Sequence, residues 1–261
     1  MATAECIHGF EAGFCDICYP REQALPVRTT RVANAKRSAT PGSRTPPSSP
    51  RNRTIAPSVL LGAQRIYHVT HVRNLEMVAI DGSLRSDAAP EVDVSSATTR
   101  ELRESVDVAS GLDGQSTSVA AHVPFYLSPH ANRWFELRNG AAGSHWSDAA
   151  RASSALDYVI LVSEAAAIGP GIVLADGDAA APATRFAAGL EAGTLQLRRM
   201  RADDDEYRDA ELLAPSPFPF EGVTLIGVAN EPMRDRVKAV LADVGAHAPR
   251  VAVYPPWFAA E

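Results

Sequence analysis

The sequence predicts a mixed α+β domain over residues 58–261, preceded by a small cysteine-bearing head and a linker. Three observations carry this. Short β-compatible apolar runs alternate with helix signals but do not settle into a repeated βαβ unit. All three cysteines fall within the first eighteen residues. Between head and domain, residues 24–57 hold Pro, Ser, Thr, Arg and Ala with few large apolar side chains, centred on Thr45-Pro46-Pro47-Ser48-Ser49-Pro50. Such a stretch cannot repay the entropy of ordering and reads as a disordered linker. The expected organisation is a head over 1–20, a basic Pro/Ser-rich linker over 21–57 and one folded domain over 58–261.

The elements of the domain follow in order. Residues 65–71 read as a strand and 73–81 as a short helix ending at Asp81-Gly82. Ser95 or Ser96 is placed to cap a helix running to about Val106. Val123 to Ser128 reads as a strand, and Pro124 within it argues for an edge strand or a strand start. Asp157 to Val162 is an apolar run of the buried-strand type, and Gly171 to Asp176 is similar. Further strands are expected at 210–213, 223–228 and 250–254. Pro232 sits early in a helix from Met233 to about Val244, with Gly245 as its stop.

Composition bounds the function classes. A hydrophobic fraction of 46% over 261 residues is ordinary for a chain with a real core. No apolar run approaches the roughly eighteen residues of a membrane span. The first twenty residues lack a basic start and an apolar stretch, so no signal peptide is expected and the default location is cytoplasmic. The net charge of −6 hides an asymmetry: residues 1–20 carry −3, residues 21–55 carry eight Lys and Arg against Glu22 alone, and the remainder carries −10. A basic arm on an acidic body suggests a polyanion contact, with a solvated linker as the alternative.

The head supplies Cys6, His8, Cys15 and Cys18, with Gly9 and Gly13 allowing tight turns. Cys15-x-x-Cys18 is the usual knuckle spacing. A Cys₃His set closes a tetrahedral Zn²⁺ site with no open position, which makes the expected zinc structural rather than catalytic. Unbound thiols in a flexible tail are the alternative. The cysteine placement does not suggest a disulfide framework.

The candidate functional stretch is Ile66-Tyr67-His68-Val69-Thr70-His71. On a strand, Ile66, His68 and Thr70 share one face, and Tyr67, Val69 and His71 the other. Taken alone, its histidines read first as structural or solvated. Glycine-rich phosphate loops and a G-x-S-x-G elbow are absent from the sequence. Glu211 stands out because it interrupts an apolar strand, between Ala210 and Leu212-Leu213. A carboxylate so placed is costly to bury unless it is paired or functional, and its bland reading is an edge-strand surface charge.

Taken together, four separated motifs resemble the DarT family. They are Tyr67-His68-Val69-Thr70-His71 with Asn74-Leu75, Val123-Pro124-Phe125-Tyr126-Leu127-Ser128-Pro129, Val173-Leu174-Ala175-Asp176-Gly177, and Ala210-Glu211-Leu212-Leu213 leading to Phe218-Pro219. The similarity covers about residues 64–256. DarT toxins are single-stranded-DNA ADP-ribosyltransferases of toxin–antitoxin systems. The resemblance implies an ADP-ribosyltransferase fold that consumes NAD⁺ and joins ADP-ribose to a DNA base. It also implies a macrodomain antitoxin as partner. It carries the NAD⁺-holding role to His68 and the catalytic carboxylate to Glu211. A catalytic arginine falls in the helix after the first motif, where Arg100 fits best and Arg103 is the alternative. Thr70 shares the face of His68 and is expected beside the cofactor. Tyr126 is either a stacking wall of the pocket or core.

The chain also departs from the family pattern. Asp178 follows the Asp176-Gly177 turn where some members carry histidine, and His122 and His130 stand where others place tyrosine and arginine. The modified base, thymine or guanine, is therefore not carried over. Arg185 keeps a family-like position, with a phosphate contact and a surface ion pair as equal readings. A related transferase acting on protein or RNA, and a non-enzymatic zinc-containing nucleic-acid-binding module, are the competing functional classes.

Overall fold

The computed structural model describes residues 59–260 apart from 88, 110–115, 204–206 and 246. The head expected to bind zinc and the expected basic linker lie outside the described residues. The described chain runs β1 (Arg65–His71), α1 (Asn74–Asp81), β2 (Ser83–Leu84), α2 (Ala97–Glu104), β3 (Asp107–Ala109), β4 (Ser116–Ser118), β5 (His122–Tyr126), α3 (Asn132–Arg138) and α4 (Asp148–Ala152). It continues with β6 (Tyr158–Glu164), β7 (Val173–Ala175), β8 (Phe186–Ala188), α5 (Leu190–Asp203), β9 (Glu211–Pro215), β10 (Phe218–Pro219), β11 (Leu225–Val228), α6 (Glu231–Val244) and β12 (Arg250–Val253).

Eight strands form one sheet in the order β12-β11-β6-β1-β5-β9-β7-β8. Only β11 and β12 run parallel; the other pairs are antiparallel. Alternation along the strands divides the core between the two faces. Ile66, Phe125, Val159, Leu161, Leu212 and Ala214 point into a cluster that includes Leu75 of α1 and Val237 and Leu241 of α6. Tyr158, Ile160 and Val162 point the other way, to Trp134, Trp146 and Phe258. Beyond β9 that second face is closed by Val173, Ala175 and Leu213 with Val108 and Val119.

The helices follow their local signals. Ser96 caps α2 by accepting from Thr99 N, and Asn230 caps α6 by accepting from Met233 N. Gly245 ends α6 in the left-handed region at φ 65°, as a C-terminal glycine should. The long helix α5 is absent from the sequence-based expectations, as are the shorter α3 and α4. Gly193 weakens the helical signal of α5, and the structure shows why it is there: a Cβ at that position would lie 2.4 Å from Leu61 Cδ2. The helix packs directly on the first turn of the domain, where Leu61 N donates to Thr194 Oγ1 at 3.1 Å.

One expectation about β5 is corrected. Pro124 argued for an edge strand, yet β5 lies between β1 and β9. The sheet is open at that point. β5 is in register with β9 over its whole length but meets β1 at one pair, Tyr67 with Tyr126. The Pro124 carbonyl accepts from the His68 ring, so it faces β1, and in a strand a residue's N faces the same side as its carbonyl. The missing N–H of Pro124 therefore falls in the gap, where no ladder exists.

Candidate active site

The gap between β1 and β5 opens into a cleft of about 910 Å³. Its first wall comes from β1 and the start of α1. His68 Nδ1 lies 2.8 Å from the Pro124 carbonyl, which can only accept, so this nitrogen carries the hydrogen and Nε2 remains an acceptor in the neutral ring. Burial pushes the His68 pKa down, against the raising effect of that bond, and favours the neutral form. Thr70 is buried, and its hydroxyl accepts from Asn74 Nδ2 at 3.3 Å. Asn74 also donates to Val92 O and accepts from Val92 N, both at 2.9 Å. One amide side chain thus ties Val92 to the start of α1. His71 points off the other strand face, as expected. It is buried, accepts from Arg73 N and meets Tyr158 edge-on.

The second wall is long-range: Tyr126 and Arg103 line the cleft, and Glu211 is buried behind Arg103. Tyr126 of β5 pairs with Glu211 of β9 and with Tyr67 of β1, so all three side chains share the face opposite His68. Glu211 is 1% exposed. It is paired, which answers the cost of burying it: Arg103 Nη1 donates to Glu211 Oε2 at 3.0 Å, and Ala179 N reaches Oε1 at 3.5 Å. The edge-charge reading of Glu211 fails on this burial. Arg103 is itself nearly buried. Desolvation opposes its charge, but Glu211 outweighs it and the pKa moves up. Its Nη2 is buried with no hydrogen-bond partner among the described residues. The Tyr126 hydroxyl is pushed up to about 12, first by burial and then by the charge of Glu211.

The two candidate arginines have different surroundings. Arg100 is half exposed, donates to the Ser95 carbonyl at 3.0 Å and pairs with Asp93. It holds the entrance of its own helix. Arg103, one turn further along α2, is the one that reaches Glu211. Of the two, Arg103 is brought to Glu211, and Arg100 stays with Ser95 and Asp93. Loop lengths between the motifs are ambiguous in the sequence, and the face that α2 turns to β9 is set only by folding.

Other predicted residues are less central. Arg185 is largely exposed and lies 3.7 Å from Asp176. His122 is buried, donates through Nδ1 to the Ser118 carbonyl and lines the cleft. Asn74 carried no expected role, and Arg133 and Trp146 of the cleft lining were not anticipated. Arg133 lies over the Trp146 ring at 5.1 Å. An Arg-Trp pair in the Asn132-Arg133-Trp134 stretch was a visible signal, but its partner Trp146 is distant in the chain. Among the described residues there is no cluster of His, Cys, Asp and Glu able to hold a metal, and Cys6, His8, Cys15 and Cys18 lie outside them. No described helix is long and apolar enough to cross a membrane.

A family model described as "ssDNA thymidine ADP-ribosyltransferase, DarT" matches residues 67–259. A DNA ADP-ribosyl transferase of Mycobacterium tuberculosis (strain ATCC 25618 / H37Rv) is 28% identical over 200 residues, 69% of this chain and 83% of that protein. The structure of Thermus sp. 2.9 DarT in complex with ADP-ribosylated ssDNA superposes with a TM-score of 0.63 at 22% identity, covering 76% of this chain and 97% of that one. The same protein in complex with NAD⁺ gives 0.61 at 21% identity, covering 76% and 98%. The fold is shared with these structures, and the family match spans both walls of the cleft from Tyr67 to beyond Glu211: the chain belongs to the DarT family of ADP-ribosyltransferases.

Proposed function

We propose that the cleft binds NAD⁺ against β1 and that Glu211 and Arg103 transfer its ADP-ribose to a base of single-stranded DNA. The observation that carries this reading is the buried Glu211–Arg103 pair, with Glu211 on β9 one strand away from the opening between β1 and β5. Departure of nicotinamide builds positive charge on the ribose carbon, as in glycoside cleavage. The Glu211 carboxylate stabilises that charge by bonding the ribose hydroxyls and takes the proton released by the attacking base. Arg103 orients the carboxylate and has an uncommitted Nη2 for the substrate. The neutral His68, with Nε2 free to accept, and the fixed Thr70 hold NAD⁺, and Tyr126 forms the floor between the two walls. A base must leave the stack to reach a buried carboxylate, which favours single strands over duplex.

Family membership supports a toxin of a toxin–antitoxin pair, with a macrodomain antitoxin that removes ADP-ribose as partner. The spacing of Cys6, His8, Cys15 and Cys18 supports a structural zinc in the head. About one zinc per chain, lost on Cys15→Ser, is the expected content. Stoichiometric zinc retained by a chain beginning at Ser58 would remove that assignment.

The direct test is incubation of the full chain with NAD⁺ and, separately, single-stranded DNA, duplex DNA, RNA and total protein, with added ADP-ribose read by mass spectrometry. Label on single-stranded DNA that disappears in Glu211→Ala is the expected result. Label on protein alone sinks the reading.

A further inference from the structure

Glu211 is covered. Its side chain is 1% exposed and that of Arg103 12%, and of the two only Arg103 lines the cleft. The carboxylate thus lies behind the guanidinium that pairs with it, Nη1 to Oε2 at 3.0 Å. Arg103 belongs to the last turn of α2, a helix that buries only Thr99 of its eight residues. The helix is held at its other end, where Ser96 N and the Thr99 hydroxyl both donate to the His145 carbonyl and Arg100 pairs with Asp93. Leu102, beside Arg103, is half exposed. The Arg103 side chain can therefore leave Glu211 without opening a core cluster.

Two conditions govern its leaving. A buried carboxylate stripped of its partner is costly, so Glu211 needs new donors. Arg103 in turn leaves a carboxylate only for another anion, and its buried Nη2, with no partner among the described residues, is a donor ready to receive one. On the function proposed above, on which this inference rests, NAD⁺ meets the first condition with its ribose hydroxyls. A phosphodiester of the DNA strand meets the second, because a guanidinium matches phosphate with two parallel N–H bonds.

We propose that Arg103 is a shutter over Glu211, drawn aside by a strand phosphate, and that the protein has a second activity: hydrolysis of NAD⁺ when a strand opens the shutter without presenting a base. With the shutter closed, water is kept from the carboxylate and NAD⁺ is not consumed between encounters with DNA. With it open and no base in place, water attacks C1″ of the nicotinamide ribose. The O–C1″ bond forms as the bond from C1″ to nicotinamide breaks. Nicotinamide leaves with the bonding electron pair, and the water gives a proton to Glu211, which returns it to solvent. The products are free ADP-ribose and nicotinamide.

The test follows nicotinamide release by the full chain with NAD⁺ alone, with an abasic deoxyribose-phosphate strand, with inorganic phosphate at equal phosphate concentration, and with ordinary single-stranded DNA. The abasic strand is expected to raise release by about tenfold or more over NAD⁺ alone, with free ADP-ribose as product, and Glu211→Gln to be silent in every arm. Arg103→Ala is expected to release nicotinamide without any strand at about that raised rate, even as its transfer to DNA falls. No stimulation by the abasic strand, while ordinary DNA is labelled, overturns the shutter and leaves the transferase reading standing. So does an Arg103→Ala chain that binds NAD⁺ by calorimetry yet hydrolyses it no faster than the unaltered protein. Equal stimulation by inorganic phosphate overturns the strand as the opener. An absence of any adduct on ordinary DNA overturns the transferase reading itself, and this inference with it.

Discussion

The two walls of the cleft are built differently. On the β1 wall, His68, Thr70 and Asn74 lie within seven consecutive residues, and Thr70 and Asn74 bond each other directly. On the far wall, Glu211 and Arg103 are 108 positions apart and meet only when β9 and α2 are in place. The first wall is a local device that also fastens the 83–95 segment through Val92. The second stores two opposite charges in a nearly dry place, where each is tolerated only because of the other. In the proposed function, binding falls to the wall that the chain makes locally, and chemistry to the pair that requires the complete fold.

Breaking the long-range wall should have the largest effect. Glu211→Gln keeps shape and volume but removes the carboxylate proposed to stabilise the ribose charge. Transfer to single-stranded DNA should fall by about a thousandfold or more, measured as initial rate of ADP-ribose incorporation, while NAD⁺ binding changes little. A comparable loss of NAD⁺ affinity would show that the two walls are not separable in this way.

Breaking the local wall should act on binding first. Asn74→Ala frees the Val92 backbone groups and the Thr70 hydroxyl from their shared partner. A loss of about 1–3 kcal/mol in stability is expected from the stranded buried groups. The KM for NAD⁺ should rise more than kcat falls. A fall in kcat with KM unchanged would place Asn74 on the chemical side instead.

The smallest effect is the pH response of the histidines. Burial lowers the folded pKa of His68 below the ordinary 6.5, and His71 and His122 move the same way for the same first cause. Below that ordinary value the unfolded chain binds protons that the folded chain refuses. Their contribution to stability is therefore present above about pH 6.5 and is lost as pH falls toward the folded values. Thermal denaturation between pH 7.5 and 5.5, as an order-of-magnitude window around the histidine range, should show Tm falling with pH. His68→Gln should flatten that slope. An unchanged slope would mean that the His68 ring charges freely in the fold.

The difference between the walls also explains what was legible in the sequence. The β1 strand and its face alternation were readable because period-two patterning is local, and the structure places Arg65–His71 as expected. Helix α6 was readable from Pro232 and Gly245. Glu211 announced itself by interrupting an apolar strand. The choice between Arg100 and Arg103 was not readable, because both sit on α2 within one turn and only tertiary packing decides which one faces β9. Pro124 misled for a related reason. A proline inside a sheet normally breaks a ladder, and the sequence holds no sign that the sheet is split at that strand. The Arg133–Asp178 contact joins α3 to the segment after β7 and left no local trace either.

In the proposed function the pair formed by folding, Glu211 with Arg103, is the reaction centre, and Arg100 serves only the entrance of α2. The direct measurement is the initial rate of ADP-ribose transfer from NAD⁺ to single-stranded DNA by Arg103→Ala and Arg100→Ala, compared at equal folded fraction by circular dichroism. Arg103→Ala is expected to lose about a hundredfold or more, and Arg100→Ala to keep most of the rate. A silent Arg100→Ala beside an active Arg103→Ala would overturn the assignment of Arg103.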